Sequence, residues 1–235
     1  MTTEPLADIS SEVVEIVRDL IKIDTSNYGD GSGPGEALAA EYVEAKLKEV
    51  GIECERYETT GAKRQGVYAR IEGSDSSRPA LLLHGHLDVV PAAAADWTYD
   101  PFAAEIHDGM IWGRGAVDMK DGDGLILALA RHYARHGIKP PRDIVLNFLP
   151  DEEAGSTDGS EWLIEHRKDM FDGVSEAVGE VGGFSLTLRD DVRLYLVQTA
   201  EKGIRWMKLR AEGSAGHGSF LNNDNAVTKL GCNWH

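Results

Sequence analysis

The sequence has few cysteines, few basic residues and no long hydrophobic run. Its 235 residues include two cysteines, Cys54 and Cys232, which do not suggest a disulfide framework and favour a reducing compartment. There are 24 Lys and Arg against 40 Asp and Glu, and the formal net charge of −16 disfavours nucleic acid as a partner because its phosphates would be repelled. No apolar run approaches the roughly 20 residues that a membrane-spanning helix needs. We therefore expect a protein that binds neither nucleic acid nor a membrane.

Motifs of several enzyme classes are absent as well. The sequence has no Gly-x-Ser-x-Gly nucleophile elbow and no Walker-type phosphate loop. The segment Met1–Asp8 has no basic stretch followed by an apolar one, so we expect no secretory signal and a cytoplasmic location. With 42% hydrophobic and 27% charged residues, the composition is that of a soluble globular protein.

A histidine and an aspartate follow an apolar run within the segment Leu81–Pro91. Residues two apart on a strand share a face, so His86 and Asp88 are predicted to project together from the end of a strand. A carboxylate can hold one ring nitrogen of a histidine while the other nitrogen binds a metal ion. A buried His–Asp hydrogen bond without a metal has the same pattern, so this segment alone leaves both interpretations open.

Three further segments deliver acids in a similar way, and these acids are Asp118, the pair Glu152 and Glu153, and Glu180. Gly113 and Gly115 allow a tight backbone path just before Asp118. In open α/β sheets, ligands bind beyond the carboxyl ends of the strands, so these side chains are expected to meet there. Imidazole and carboxylate groups are donors suited to zinc.

Together the segments resemble the dizinc aminoacylase / glutamate carboxypeptidase / dipeptidase superfamily of metallopeptidases, over about residues 10 to 230. The matching motifs are Gly85-His-Leu-Asp-Val-Val-Pro91, Gly113-Arg-Gly-Ala-Val-Asp-Met-Lys120, Asp151-Glu-Glu153 and Gly179-Glu180. The resemblance implies two zinc ions per active site, with cobalt or manganese as other options. It also implies hydrolysis of an amide or peptide bond in a small peptide, such as a dipeptide, or in an N-acyl amino acid.

The same resemblance implies a role for each matching residue. The implied metal ligands are His86, Asp118, Glu153 and Glu180, of which Asp118 bridges the two ions. Asp88 is implied to orient His86, and Glu152 to act as the general base on the attacking water. A cis peptide bond between Asp118 and Met119 is a further implied feature.

A second histidine lies in the segment Gly213-Ser-Ala-Gly-His-Gly-Ser219. This segment is similar to the start of the lid, or dimerisation, domain of the superfamily. There the histidine that matches His217 stabilises the oxyanion from across a homodimer. A histidine between glycines is also typical of an exposed loop, and both interpretations of His217 stay open.

Hydrophobic periodicity predicts a chain in which helices alternate with strands. The predicted helices cover residues 13–21, 38–50, 125–136 and 161–170, and predicted strands include 52–58, 67–72 and 144–149. This alternation favours the α/β class, as a three-layer sandwich around a mixed, mostly parallel sheet, followed by the start of a smaller α+β lid domain.

The resemblance also divides the chain into parts. Residues 1–200 are predicted to form an incomplete catalytic domain, 201–230 the beginning of the lid, and 231–235 an atypical tail. The superfamily's remaining zinc histidine comes from a later segment, and His235 is not expected to replace it. A non-catalytic fragment with a partial metal site is therefore the alternative to an active hydrolase.

Overall fold

The computed structural model describes residues 9–180, 185–200, 203 and 207–232. The chain divides into two compact units, residues 1–196 and 197–235. Parts of the predicted lid (201, 202 and 204–206) and of the predicted tail (233–235, with His235) lie outside the described residues.

The first unit is built on a five-stranded sheet. The described strands of the chain are β1 (Cys54–Glu58), β2 (Gln65–Ile71), β3 (Ala80–His86), β4 (Glu105–His107), β5 (Met110–Trp112), β6 (Ile144–Leu149), β7 (Val174–Val178), β8 (Ser185–Arg189) and β9 (Val192–Tyr195). The main sheet has the order β1-β2-β6-β3-β7, and the other four strands form two hairpins. Within the main sheet β3 pairs parallel with both β6 and β7, whereas β1-β2 and β2-β6 are antiparallel. The predicted mixed sheet is confirmed, although its pairings are half parallel and half antiparallel rather than mostly parallel.

Helices cover both faces of this sheet, which gives the expected three layers. The described helices are α1 (Ser10–Lys22), α2 (Ala37–Lys48), α3 (Lys120–Arg135), α4 (Trp162–His166) and α5 (Ala226–Cys232). The main hydrophobic core lies between the sheet and α1, α2 and α3, and a smaller cluster around Leu163 and Met170 packs on the other face. None of the helices in the described residues is long and apolar enough to cross a membrane.

The apolar residues of α1 show why this core forms. Ile16, Val17, Leu20 and Ile21 recur at helical spacing on one side, and all four are buried. Complete burial of such a side chain is worth about 1.5–3 kcal/mol.

Two predicted helix boundaries were wrong. The helix expected over 125–136 begins five residues earlier, at Lys120, directly after Asp118 and Met119. The helix expected over 161–170 ends at His166 and is followed by a 3₁₀ turn at Lys168–Phe171. The break falls at Arg167, whose φ of −133° is not helical and whose guanidinium donates to Glu55 and Asp169.

Candidate metal centre

His86 is the last residue of β3, the strand between β6 and β7 in the sheet. Its Nδ1 atom lies 3.0 Å from the main-chain oxygen of Asp88 and 3.4 Å from the carboxylate Oδ1 of the same residue. Both side chains are buried. Because Nδ1 is engaged by Asp88, the other ring nitrogen, Nε2, is the atom that faces the remaining groups.

Carboxylates from three separate segments surround this Nε2 atom. Asp118 Oδ1 lies 3.1 Å away, Glu180 Oε2 3.2 Å and Glu152 Oε2 3.8 Å. The possible ligand atoms of His86, Asp118 and Glu180 all lie within 4.8 Å of one another. The structure therefore brings together three of the four predicted metal ligands and the predicted general base.

The loop before α3 positions Asp118. Gly115 has a φ of +80°, and a Cβ atom there would lie 2.7 Å from a Val89 methyl carbon, so a larger residue would not fit. The Asp118–Met119 peptide bond is cis, as the resemblance implied. The buried Lys120 donates from Nζ to the main-chain oxygens of Leu20 and Ile23, which fastens the loop to the end of α1.

The turn after β6 positions the two glutamates. Asp151 has a φ of +64°, a conformation that aspartate adopts more readily than most residues. The turn directs the main-chain N–H groups of Glu152 and Glu153 to Asp88, whose Oδ1 and Oδ2 atoms accept them at 3.0 and 3.1 Å. Glu153 Oε1 accepts from the Val90 N–H at 3.2 Å, so its side chain lies outside the three-ligand group.

Two polar residues that the sequence analysis missed, the buried Asn27 and the partly buried Arg64, support the carboxylate of Asp88 through hydrogen bonds. Asn27 donates from Nδ2 to Asp88 Oδ2 at 2.8 Å and to Asp151 Oδ1 at 2.9 Å. Arg64 in turn donates to Asn27 Oδ1 at 2.9 Å. In the sequence, Asn27 stands in a run of polar residues directly after a helix. This is a weak signal for such a role, because its partners Asp88 and Asp151 lie 61 and 124 positions away and cannot be identified from the local pattern.

The carboxylates around His86 perturb one another. Burial, followed by the charge of Asp118, raises the pKa of Glu153 to about 7. Burial and the charge of Glu180 also raise the pKa of Asp118, and burial raises that of Glu152. The pKa of Glu180 is instead lowered, because of its hydrogen bond with His86. A cation would relieve this crowding of negative charge.

The donor set fits a divalent cation. The possible ligand atoms are an imidazole nitrogen, on a ring whose other nitrogen contacts a carboxylate, and carboxylate oxygens from other segments. Zinc uses ligands of these kinds in catalytic sites. The same donors also accept cobalt and manganese. His86, Asp118 and Glu180 are thus chemically suited to hold a metal ion.

His217 belongs to the second unit of the chain and is exposed. Its Nδ1 atom lies 2.7 Å from Ser219 Oγ, and its ring centroid lies 5.7 Å from that of Phe220. These contacts are local, and the oxyanion-stabilising role of His217 stays a prediction.

The likeness of this chain to known proteins agrees with the geometry. The family model described as peptidase family M20/M25/M40 matches residues 82–229, a range that includes all seven candidate residues. The chain belongs to this family. The family's metallopeptidases are divalent-metal proteins, which fits the donor set around His86.

Named relatives of the family are similar over most of this chain. Aminoacylase-1 of Dictyostelium discoideum is 33% identical over 222 residues, which cover 94% of this chain and 52% of that protein. Succinyl-diaminopimelate desuccinylase 2 of Ruegeria sp. is 33% identical over 162 residues, covering 68% of this chain and 38% of that protein. The chain thus spans about half the length, or less, of these relatives.

Solved structures show the same fold. An M20 family metallo-carboxypeptidase from Sulfolobus solfataricus superposes with a TM-score of 0.62 at 24% identity, covering 73% of this chain and 38% of that chain. A dipeptidase from Saccharomyces cerevisiae gives a TM-score of 0.62 at 22% identity, covering 74% and 39%. The predicted superfamily and the α/β fold class are confirmed.

Proposed function

We propose that this chain carries the metal centre of a hydrolase that cleaves an amide or peptide bond in a dipeptide or an N-acyl amino acid. The observation that supports this most is the convergence of Asp118, Glu180 and Glu152 within 3.8 Å of His86 Nε2. Relatives named aminoacylase and desuccinylase support the substrate class, since both names denote removal of an acyl group.

His86, Asp118 and Glu180 would hold one divalent ion, and Asp118 with Glu153 would contribute to a second. Zinc is our choice for both, on the basis of the donor set. When bound, the ions supply Lewis acidity for the substrate carbonyl and lower the pKa of water.

Glu152 is the group we assign to proton transfer. Its carboxylate is half-buried beside His86, and burial raises its pKa towards the range in which a general base works best. It would accept the proton of the attacking water and return it to the leaving amine. Asp88 would keep His86 Nδ1 engaged, and would hold the main chain of Glu152 through the Oδ1 hydrogen bond.

The test is hydrolysis of a panel of N-acetyl amino acids and dipeptides by the zinc-loaded chain and by a Glu152→Gln variant. We expect Glu152→Gln to lower kcat by about 10²- to 10⁴-fold, because a general base contributes roughly that factor. Zinc content should stay unchanged, since Glu152 is not among the three grouped ligands. Glu165→Gln, at an exposed glutamate on α4, is the matched control and should keep full activity.

Near-normal turnover by Glu152→Gln would overturn the assignment of the general base. Hydrolysis that is insensitive to removal of the metal would overturn the proposed reaction class.

A second candidate function is a chain that binds metal without catalysing hydrolysis. The observation that favours it is the hydrogen bond of Glu153 to Val90, which leaves that predicted ligand outside the described three-ligand group. One bound ion per chain with no hydrolysis of any substrate in the panel would support this candidate over the first.

Two remaining predictions belong to the whole protein. We propose that it forms a homodimer in which the lid takes part, and that it works in the cytoplasm. The free thiol of Cys54 fits a reducing compartment. Sedimentation of the full-length protein and its location by fractionation test these two points.

A further inference from the structure

The side chain of Asn27 is buried and makes hydrogen bonds from both of its polar atoms. Nδ2 donates to the carboxylates of Asp88 and Asp151, at 2.8 and 2.9 Å. Oδ1 accepts from Arg64 at 2.9 Å and from the Gly29 N–H at 3.0 Å. An amide has two donor hydrogens and two acceptor lone pairs, so these four bonds use its whole capacity. If the amide were rotated by 180°, its NH2 group would face the donors of Arg64 and Gly29, and its oxygen would face the two carboxylates. The hydrogen-bond partners therefore fix the orientation of the amide.

Arg64 bonds to the side-chain oxygen of Asn27 and is itself held by Glu36. Arg64 donates from one guanidinium nitrogen to Asn27, and from the other to Glu36 Oε1 at 2.5 Å. Glu36 is fully buried, and burial raises its pKa to about 7, although the charge of Arg64 opposes this shift. The guanidinium therefore lies between a buried carboxylate and Asn27.

Main-chain contacts fix the segment that carries Asn27. Its N–H donates to the Val89 oxygen at 2.8 Å, and the Val89 N–H donates to the Thr25 oxygen at 3.2 Å. Thr25 Oγ1 donates to the Leu87 oxygen at 2.7 Å. The segment 25–27 therefore runs directly along residues 87–89, on either side of Asp88.

Asp88 transmits the position of Asn27 to the metal centre. Its Oδ2 atom accepts from both Asn27 and the Glu153 N–H, and its Oδ1 atom accepts from the Glu152 N–H. The same Oδ1 atom lies 3.4 Å from His86 Nδ1. One carboxylate therefore supports the ring of a candidate ligand and the main chain of both glutamates, and Asn27 restricts its rotation.

We propose that Asn27 is a positioning residue for the metal centre, acting through Asp88. This inference rests on the proposed function, because it concerns the same centre. Asn27 also donates to Asp151, so it keeps two buried carboxylates side by side whose negative charges would otherwise repel each other.

The experiment measures zinc affinity of the 235-residue chain by competition with a chromogenic chelator, for the original sequence and for Asn27→Ala. We expect affinity to fall by about 10- to 100-fold, the usual effect of removing a group that orients a metal ligand. Asn147→Ala is the matched control, because Asn147 is also a buried amide and accepts a hydrogen bond from Tyr57 at 2.7 Å. It should lower the unfolding temperature and leave zinc affinity within about twofold, since in the described residues the side chain of Asn147 bonds to Tyr57 and not to Asp88.

A second measurement needs no metal. Hydrogen exchange of the Glu152 and Glu153 amides in the metal-free chain should become faster in Asn27→Ala and stay unchanged in Asn147→Ala, because Asp88 accepts from both amides. If Asn27→Ala does not fold, Asn27→Ser is measured by the same criteria, since its hydroxyl can donate to only one of the two carboxylates.

Zinc affinity equal to that of the original chain, with unchanged exchange at both amides, would overturn the inference and leave the proposed function intact. If the original chain itself bound no zinc, the proposed function would fail. The amide exchange would then decide alone whether Asn27 positions Asp88.

Discussion

The two sides of the metal centre differ in burial. We call the buried side the floor, which consists of Asn27, His86, Asp88 and Asp151, all 5% exposed or less. We call the open side the rim, which consists of Asp118, Glu152, Glu153 and Glu180. The side chains of Asp118, Glu152 and Glu180 are 59%, 50% and 40% exposed.

This difference in burial distinguishes the contacts that form on folding from those that need a metal ion. Asn27 joins Asp88 and Asp151, and Asp88 accepts from two main-chain N–H groups, so the fold without metal already satisfies these atoms. In the floor, His86 Nε2 is the atom that faces the rim. The rim carboxylates lie close together, and mutual repulsion contributes to the raised pKa values of Asp118 and Glu153. We infer that the floor forms during folding and that a cation completes the rim.

The largest expected effect is that of metal on stability. Zinc at about 100 times its dissociation constant should stabilise the chain by roughly 2.7 kcal/mol, because it binds the folded state. For a chain of this size that corresponds to a rise of about 5–10 °C in the midpoint of thermal unfolding, measured by circular dichroism. A chelator should reverse the rise. An unchanged midpoint in saturating zinc would contradict the role given to the rim.

A change in the floor should have the next largest effect. Asp88→Ala removes the acceptor of two main-chain N–H groups and one of the two acceptors of Asn27 Nδ2. We expect the metal-free chain to lose about 2 kcal/mol of unfolding free energy. Urea denaturation in the presence of a chelator measures it. A loss below about 1 kcal/mol would mean that the floor is not formed by folding.

The corresponding change in the rim should leave metal-free stability nearly unchanged. Glu180→Gln removes one carboxylate that is 40% exposed, and solvent screening at this carboxylate limits its pairing with the buried His86 to about 1 kcal/mol or less. Zinc affinity should nevertheless fall at least about tenfold, because a candidate ligand is lost. The same urea and chelator-competition measurements apply. If Glu180→Gln destabilised the metal-free chain as much as Asp88→Ala, the distinction between floor and rim would be wrong.

The smallest expected effect concerns a carboxylate outside the centre. Arg135, together with Arg131, holds the pKa of Glu12 at about 2, well below its ordinary value of 4.5. Because the folded-state pKa is depressed, the stabilisation from Glu12 is present above pH 4.5 and is lost as the pH falls towards 2. Glu12→Gln should therefore cost about 0.5–1 kcal/mol at pH 7 and weaken the pH dependence between 4.5 and 2.

Urea denaturation of the original chain and of Glu12→Gln across this pH range provides the check. If the free energy of unfolding depended on pH in the same way for both chains, the ionisation of Glu12 would not be linked to folding. Zinc affinity at pH 7 should be the same for both, since in the described residues the carboxylate of Glu12 bonds to Arg131 and Arg135 and to no floor or rim residue.

Local motifs predicted the parts of the centre that lie near each other in sequence or at strand ends. His86 and Asp88 are two residues apart, and Asp118, Glu152 and Glu180 follow apolar or glycine-rich segments that the alternation of helices and strands assigns to one edge of the sheet. The structure places all three acids within 3.8 Å of His86 Nε2. The fold class could be predicted for the same reason, because periodicity is a property of neighbouring residues.

Long-range hydrogen bonds could not be predicted in this way. Asn27, Arg64 and Glu36 lie in loops or at a helix start, and their contacts depend on how distant segments pack. The break at Arg167 has a similar cause, since the guanidinium contacts Glu55, 112 residues away. Helical periodicity continues through the break and therefore did not reveal it.

The most direct test of the account is a calorimetric titration of zinc into the metal-free 235-residue chain, alongside His86→Ala. We predict saturable binding of at least one ion per chain, with the heat of binding lost in His86→Ala because no other imidazole is in the three-ligand group. No saturable binding by the original chain, or equal binding by His86→Ala, would contradict the assignment of this cluster as a metal centre.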